Sequence, residues 1–257
     1  ESDGLAYLKR LPDLVVLPRD TRQCAAVMKL CAEHHVPVVA RGAGTGLSGG
    51  ATPVERGIVL GLARMRDVLE VNVEERFARV QAGVVNSDLS LAVAKHGLFY
   101  APDPSSQKAC TLGGNVAENS GGPHCFRYGS TTRHVAGLVI VTASGDVLDL
   151  ARPRVDPDGL DLVGLFVGSE GLFGVATELT VALTPTPQVT ETLLAIYTNL
   201  DAACETVSRI IAEGLEPSAL EILDKLTIEA VEASVLAAGY PKDAEAWTRL
   251  AWAHFQR

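Results

Sequence analysis

The stretch RGAGTGLSGG (41–50) decides the fold, because Gly44, Gly46 and Gly49 within it spell G-x-G-x-x-G. In nicotinamide-binding proteins a helix begins inside this motif, and its N-terminal amides hold the pyrophosphate of the dinucleotide. Here Gly49 is followed by GATPVERG, whose glycines and proline oppose a helix. A Walker loop is also excluded, since no Gly-Lys-Ser/Thr follows. The motif therefore predicts a glycine-rich loop without a helix.

The residues on both sides of this loop predict the strands that hold it. LVVLP (14–18), VPVVA (36–40) and IVLGL (58–62) are short apolar runs typical of buried strands. DTRQCAAVMKLCAEHH (20–35) has helical periodicity and an N-terminal capping residue. We expect the loop to be a nest in which backbone N–H groups converge on an anion, each bond to a phosphate oxygen contributing roughly 1.5–3 kcal/mol. A flexible surface loop is the alternative interpretation.

Further hairpins and helices are predicted downstream. Alternating patterns indicate hairpins at 69–83 and 138–150, and a strand at 176–183. Helical spacing indicates helices at 87–97 and 159–168, each ended by a glycine. These segments complete a mixed pattern of helices and strands.

A different pattern begins after PTP (185–187), where we expect a domain boundary. Long amphipathic helices are predicted at 200–214 and 223–239. The final residues, WTRLAWAHFQR (247–257), contain both tryptophans of the chain. They are interpreted either as an aromatic terminal helix or as a sequence that has left its original frame or been cut.

The segment 100–130 is rich in proline, glycine, serine and asparagine, and its apolar residues follow no period. An irregular stretch of this length inside a compact domain is usually functional or disordered. The small residues around TLGGNVAENSGG favour a backbone packed against something flat. We therefore interpret the segment as functional.

The composition excludes several classes of partner. With 47% hydrophobic residues, the 257-residue chain supports a substantial core, and its formal charge of -9 repels nucleic acid and anionic lipid. No apolar run is long enough to span a membrane, so we expect a cytoplasmic protein. The 5 cysteines and 6 histidines show no metal-ligand spacing, so no metal site is predicted. Cys24 and Cys31 are expected to be small apolar residues on the buried face of the first helix.

Three motifs follow one another along the chain: RGAGTGLSGG, APDPSSQKACTLGGNVAENSGG (101–122) and VGSEGLFGVATELTV (167–181). Together they resemble the flavin domain of the vanillyl-alcohol oxidase family, also called the PCMH-type FAD-binding domain. The chain is similar to the branch of that family that contains the FAD-linked subunits of bacterial glycolate oxidase and the D-lactate and D-2-hydroxyglutarate dehydrogenases. This resemblance covers nearly the whole chain.

The fold implied by the resemblance is α+β. It comprises an N-terminal segment (1–11), a PCMH-type FAD-binding domain of two α/β subdomains (12–187) and the start of a ferredoxin-like substrate or cap domain (188–257). In the family a further strand follows the position of residue 246, so the tail from Trp247 is atypical. Such a chain would bind FAD but lack most of the substrate domain.

The resemblance also implies a set of cofactor-binding residues. The glycine loop would wrap the FAD pyrophosphate, and a Pro-Ser-Ser turn would follow the ribityl chain and pyrophosphate. The LGGNVAENSG segment would line or approach the isoalloxazine ring, and the last motif would contribute backbone contacts near the adenosine. The implied residues are Arg41, Gly42, Ala43, Gly44, Thr45, Gly46, Leu47, Ser48, Pro104, Ser105, Ser106, Leu112, Gly113, Gly114, Asn115, Ala117, Asn119, Ser120, Gly121, Glu170, Gly171, Gly174 and Val175.

The implied reaction is the FAD-dependent oxidation of a small 2-hydroxy acid, glycolate or D-lactate, to the 2-oxo acid. The implied partners are a second flavin subunit and an iron-sulfur subunit, which would place the chain at the inner membrane only peripherally. We expect FAD to be non-covalent, although His124 and Cys125 follow the flavin segment. In the family, substrate specificity and a metal-ligating histidine cluster come from the substrate domain. Residues 188–246 contain one arginine, Arg209, and no histidine. No catalytic residue is therefore assigned.

Two other functions stay open. A non-catalytic flavin-binding subunit of an oxidoreductase complex would be indicated by an eroded glycine nest, and here the nest is intact. A nicotinamide-dependent dehydrogenase would require a helix that begins near Gly46.

Overall fold

The computed structural model describes residues 2–151, 159–235, 237, 239–241 and 245–254. The chain divides into two compact units. The N-terminal unit comprises Glu1–Gly122 and Ser130–Thr186, and the C-terminal unit comprises Pro123–Gly129 and Pro187–Arg257.

The described residues alternate between helices and strands along most of the chain. The α-helices are α1 Thr21–Glu33, α2 Asn86–Val93, α3 Leu112–Glu118, α4 Cys125–Tyr128, α5 Leu162–Phe166, α6 Leu200–Ala212 and α7 Lys225–Glu232. The strands are β1 Leu14–Val16, β2 Val38–Arg41, β3 Ile58–Gly61, β4 Val68–Asn72, β5 Phe77–Gln81, β6 Leu98–Phe99, β7 Val135–Val141, β8 Val147–Ala151, β9 Val175–Ala182, β10 Thr184–Pro185, β11 Val189–Tyr197, β12 Ala219–Asp224 and β13 Ala246–His254. None of these helices is long and apolar enough to cross a membrane.

A parallel three-stranded sheet, in the order β1-β3-β2, carries the glycine-rich loop. Neighbouring parallel strands need a long crossover, which is usually a helix. Between β2 and β3 the crossover is residues 42–57, and they contain no helix. The loop therefore leaves the carboxyl end of β2, the edge at which open α/β sheets bind ligands.

A five-stranded antiparallel sheet, β4-β5-β9-β7-β8, forms the rest of the unit. Both predicted hairpins are present, as the pairs β4–β5 and β7–β8. One core joins the two sheets, since Leu60 of β3 and Leu179 of β9 are buried in the same apolar cluster as Leu89 and Leu112. The α+β fold class is confirmed.

Helix α1 shows how the local sequence sets an element. Asp20 accepts a hydrogen bond from the Gln23 backbone N–H at 2.7 Å and so caps the helix. Cys24, Met28 and Cys31 form its buried face, which confirms the predicted role of the two cysteines. Burial raises the pKa of the Cys24 thiol to about 12, so this thiol stays protonated at neutral pH.

The segment predicted to be irregular, 100–130, contains two helices, α3 and α4. Helix α3 escapes the sequence pattern because two of its first three residues are Gly113 and Gly114, which have low helix propensity. Tertiary contacts compensate for this low propensity, as described below for the site. The expectation of a wholly irregular segment was therefore wrong.

The C-terminal unit is built on an antiparallel sheet in the order β11-β13-β12. Its central strand, β13, begins at Ala246, so the terminal helix considered for 247–257 is wrong within the described residues; residues 255–257 lie outside them. Pairing on both sides gives this aromatic segment its place in the sheet. Trp247 is 1% exposed and contacts the Tyr240 ring, with centroids 4.4 Å apart.

The second predicted helix of this unit is shorter than expected. The pattern predicts 223–239, whereas α7 runs over Lys225–Glu232 and the residues before it belong to β12. Asp224 ends the strand and caps the helix by accepting from the Thr227 N–H at 2.8 Å. Leu236 and Ala238 lie outside the described residues.

Candidate functional site

The N-terminal unit contains an open cavity of about 410 Å³, within the size range of small-molecule and cofactor sites. Its walls come from the glycine loop, the 104–106 turn, helix α3 and the segment that enters β9. The lining residues are Ala40, Arg41, Gly42, Ala43, Gly44, Thr45, Gly46, Leu47, Ser48, Gly50, Ala51, Leu62, Pro104, Ser105, Ser106, Cys110, Thr111, Gly113, Gly114, Asn115, Ala117, Glu118, Ser120, Gly121, Phe166, Glu170, Gly171, Gly174, Val175 and Ala176.

The glycine loop uses its glycines in two different ways. Gly44 and Gly49 have φ values of 73° and 85°, a region that L-residues rarely adopt. Gly42 has an ordinary φ but lies against Thr111, whose Oγ1 would collide with a Cβ at position 42. Glycine at 42 therefore brings the loop into direct contact with the start of α3.

Arg41 holds the loop in shape. Its Nη1 donates to the Ala51 carbonyl at 3.0 Å, across the width of the loop. The same guanidinium lies directly over Gly44, where a Cβ would collide with it. Arg41 therefore braces the loop and also places a positive charge on the cavity wall.

The amides at the N-terminus of α3 are bonded within the protein. The Leu112 and Gly113 N–H groups donate to the carbonyls of Val84 and Ala82 at 2.9 and 2.8 Å. The Gly114 N–H donates to Thr111 Oγ1 at 3.3 Å. A Cβ on Gly113 would lie 2.7 Å from the Ala82 Cβ, so only glycine permits this approach. Helix α3 is thus anchored to the core and presents its side to the cavity.

A buried polar network fixes the segments on either side of α3. Asn86 Nδ2 donates to the Pro102 carbonyl at 2.9 Å and to Asn115 Oδ1 at 3.0 Å. Asn115 Nδ2 in turn contacts Cys110 Sγ at 3.3 Å. All three side chains are at most 3% exposed. The Asn115 amide therefore faces the protein interior and ties α3 to α2 and to the chain around Pro102.

The last wall of the cavity is bonded to the C-terminal end of α3. The Gly168 and Glu170 N–H groups donate to the carbonyls of Val116 and Ala117 at 2.8 and 2.9 Å. Glu170 has a positive φ of 52°, which is unusual for a residue with a side chain. Gly174 approaches Val141, where a Cβ would lie 2.5 Å from the carbonyl oxygen. These contacts place the 168–176 backbone along the cavity.

Two carboxylates, Glu118 and Glu170, belong to the lining. A Cβ on Gly46 would lie 3.2 Å from Glu118 Oε1, so this carboxylate reaches the glycine loop. Partial burial raises the pKa of the Glu118 carboxyl, and the negative charge of Glu170 raises it further. The neutral form of Glu118 is therefore favoured more than for a carboxyl in water.

Most of the residues named from the sequence line this one cavity, from Arg41 to Ser48, Pro104 to Ser106, and through the two later motifs. Leu112 and Asn119 do not line it: Leu112 is fully buried in the core, and the Asn119 side chain accepts from the Thr132 N–H at 2.9 Å. That the lining residues contact FAD stays a prediction. The sequence reasoning did not select the lining residues Ala40, Gly50, Ala51, Leu62, Cys110, Thr111, Glu118, Phe166 and Ala176.

One earlier alternative is decided by this geometry. The nicotinamide-dependent dehydrogenase required a helix near Gly46, and residues 42–57 contain none, so that hypothesis is wrong. His124 and Cys125 belong to the C-terminal unit, and non-covalent binding of FAD stays a prediction. Within the described parts of the chain, no group of three or more His, Cys, Asp or Glu side chains could hold a metal ion.

The residues present fit a dinucleotide cofactor. The loop is rich in glycine, and glycines also occur where the backbone approaches Thr111, Ala82 and Val141 closely. Small residues line the side of α3 that faces the cavity, which suits contact with a flat ring system.

Known proteins with similar sequences carry the names of an oxidase subunit and of a dehydrogenase. Glycolate oxidase subunit GlcD of Escherichia coli K12 is 50% identical over 246 residues, which are 96% of this chain and 49% of that protein. The corresponding subunit of Bacillus subtilis is 46% identical, over 90% of this chain and 49% of that protein. D-lactate dehydrogenase of Anaerostipes hadrus is 37% identical, over 93% of this chain and 50% of that protein. The chain spans about half the length of the curated relatives it matches.

A solved structure of alkyldihydroxyacetonephosphate synthase shares the fold, with a TM-score of 0.83 at 23% identity over 96% of this chain and 48% of that one. Sequence models of two families also match: the FAD binding domain at residues 12–151 and the C-terminal domain of FAD linked oxidases at 186–252. The first match contains the glycine loop and α3, and the second contains the sheet of the C-terminal unit. The chain therefore belongs to the FAD-linked oxidases, the family built on this FAD binding domain.

Proposed function

We propose that this chain binds FAD non-covalently in the cavity and contributes it to the oxidation of a small 2-hydroxy acid, glycolate or D-lactate, to the 2-oxo acid. The carrying observation is the cavity itself, where the glycine loop, the 104–106 turn, α3 and the 168–176 segment face one space. The names of the relatives at 50% and 37% identity support the substrate class.

Each wall has a separate task in this proposal. The loop braced by Arg41 would hold the pyrophosphate through backbone N–H groups. The side of α3 that carries Gly114 and Ala117 would lie along the flavin ring. Bound FAD supplies the two-electron acceptor that the amino-acid side chains lack. We further propose that the binding domain extends over 12–187 and the substrate domain over 188–257.

Titration with FAD tests the cofactor proposal. We expect FAD fluorescence to be quenched to saturation at one equivalent per chain, and the purified protein to show a visible flavin band. Acid precipitation should leave a colourless pellet, because no covalent bond is expected. A protein that takes up no added FAD would contradict the proposal.

Anaerobic addition of substrate tests the reaction. Bleaching of the flavin band by glycolate or D-lactate, with release of the 2-oxo acid, would support the proposed oxidation. Bound FAD that neither acid bleaches would show that this chain alone, about half the length of its curated relatives, binds the cofactor without oxidising either acid. L-lactate is the matched control, because it differs from D-lactate only in configuration.

The partners and location belong to the same proposal. The word "subunit" in the names of the GlcD relatives supports a complex, and we propose a second flavin chain and an iron-sulfur chain as its other members. The chain would then be cytoplasmic and reach the inner membrane through those partners. Co-purification of an iron-sulfur protein with the tagged chain from its native host would support this assembly, and recovery of the chain alone would oppose it.

A further inference from the structure

Glu118 places a carboxylate next to the glycine loop, which is the part of the cavity proposed to hold the FAD pyrophosphate. Glu118 Oε1 would lie 3.2 Å from a Cβ on Gly46 and 3.9 Å from one on Gly50. An FAD pyrophosphate held by this loop would bring two further negative charges close to that carboxylate. An ionised Glu118 would oppose binding, whereas a neutral one would not.

The surroundings of Glu118 already favour its neutral form. The charged residues of the lining, within the part of the chain that the structure describes, are Arg41, Glu118 and Glu170. Glu170 adds repulsion, and Arg41 is engaged with the Ala51 carbonyl. Glu118 is also the last residue of α3, where the helix dipole disfavours a negative charge.

A ligand in the cavity strengthens each of these effects. Glu118 is exposed to solvent in the open cavity, so a bound dinucleotide would remove water from it. Desolvation and the phosphate charges both act against the carboxylate. We propose that Glu118 makes cofactor binding proton-linked: FAD enters the cavity together with one proton, which Glu118 takes up. This inference rests on the proposed function, because it requires FAD in this cavity.

The direction of the pH effect follows from linkage. Below the pKa of Glu118 the carboxyl is already protonated, and FAD affinity does not depend on pH. Between that pKa and the higher pKa of Glu118 in the complex, binding takes up as much as one proton, so the dissociation constant rises by up to about tenfold per pH unit. Above the higher pKa the carboxyl is ionised in both states, and affinity is again independent of pH. No histidine belongs to the cavity lining, and the ionisable side chains in it besides Glu118 are those of Arg41, Cys110 and Glu170.

The test is an FAD titration of the full chain by fluorescence quenching between about pH 5 and about pH 9, a range that begins just above the ordinary pKa of a glutamic acid. Calorimetry in two buffers with different heats of ionisation counts the protons taken up by the unmodified protein. The variant is Glu118→Gln, which keeps the shape and removes the charge. Glu74→Gln is the control, because Glu74 is exposed in the β4–β5 turn.

For the wild type and Glu74→Gln we expect affinity that weakens with rising pH and proton uptake approaching one per FAD. For Glu118→Gln we expect a flat profile, no uptake and tighter binding at neutral pH. FAD binding with the same pH profile in wild type and Glu118→Gln, or without proton uptake, would overturn this inference and leave the cofactor proposal standing. Failure of both proteins to bind FAD at every pH would overturn the cofactor proposal itself.

Discussion

The contact between Gly42 and Thr111 makes Gly42→Ala a sharp test of how the site is assembled. The new methyl group would overlap Thr111 Oγ1, while the backbone at 42 has no positive φ and adds no strain. Overpacking of this kind costs typically about 1–3 kcal/mol. If this steric overlap pushes the loop away from α3, FAD binding should weaken by about tenfold for every 1.4 kcal/mol of binding free energy lost.

Gly50→Ala is the matched control in the same loop. Its φ is also ordinary, and a Cβ there would meet only Glu118 Oε1 at 3.9 Å, a normal contact distance. This change should be neutral or slightly stabilising, by about 0.4–1 kcal/mol, through a restricted unfolded chain. The two variants differ in their steric surroundings alone.

A double-mutant cycle with Thr111→Ala isolates the collision. Thr111→Ala alone removes the cap on the Gly114 N–H and should cost about 0.5–2 kcal/mol. Thr111→Ala also removes Oγ1, the atom that the methyl group of Gly42→Ala would overlap. The double variant should therefore be more stable, by about 0.5–3 kcal/mol, than the sum of the two single losses in unfolding free energy predicts. Urea unfolding and FAD titration of all four proteins measure this. Strict additivity, or a Gly42→Ala protein that behaves like Gly50→Ala, would refute the reasoning.

Two further substitutions test other parts of the fold. Asn115→Ala removes the buried partner of Asn86 and should cost about 1–3 kcal/mol in urea unfolding; an unchanged midpoint would show that the network contributes nothing. Trp247→Ala should cost about 3–5 kcal/mol in the urea unfolding of the C-terminal unit, because it removes the ring that shares a core with Ile228 and Tyr240. Trp247→Phe should cost far less, because it keeps a ring and removes an indole Nε1–H with no protein partner; equal losses would contradict that core.

Much of the N-terminal unit follows from local pattern. Each of several features depends on residues that are close neighbours in the chain. These features are the apolar runs of β1, β2 and β3, the Asp20 cap and both hairpins. The same holds for the glycine loop, because the proline and glycines after Gly49 disfavour a helix through their own backbone properties.

The wrong predictions for α3 and β13 have one cause: both elements are held by hydrogen bonds to residues far away in the sequence. Helix α3 forms although Gly113 and Gly114 disfavour it, because its first amides bond to Ala82 and Val84, far back in the sequence. Strand β13 looks atypical by composition, yet it becomes the centre of a sheet whose other strands lie earlier in the chain. No local periodicity reports such partners.

The sequence by itself predicted most helices and strands of the N-terminal unit, because propensity, capping and turn chemistry act between near neighbours. The fold class and the roles of the three motifs came from their resemblance to the flavin domain. Only the tertiary structure decided what each motif residue does. It turns the Asn115 amide into the interior, assigns Arg41 to bracing the loop and brings Glu118 against Gly46. These outcomes depend on which distant segments meet, and the sequence alone does not show that the Glu118 carboxylate lies beside the glycine loop.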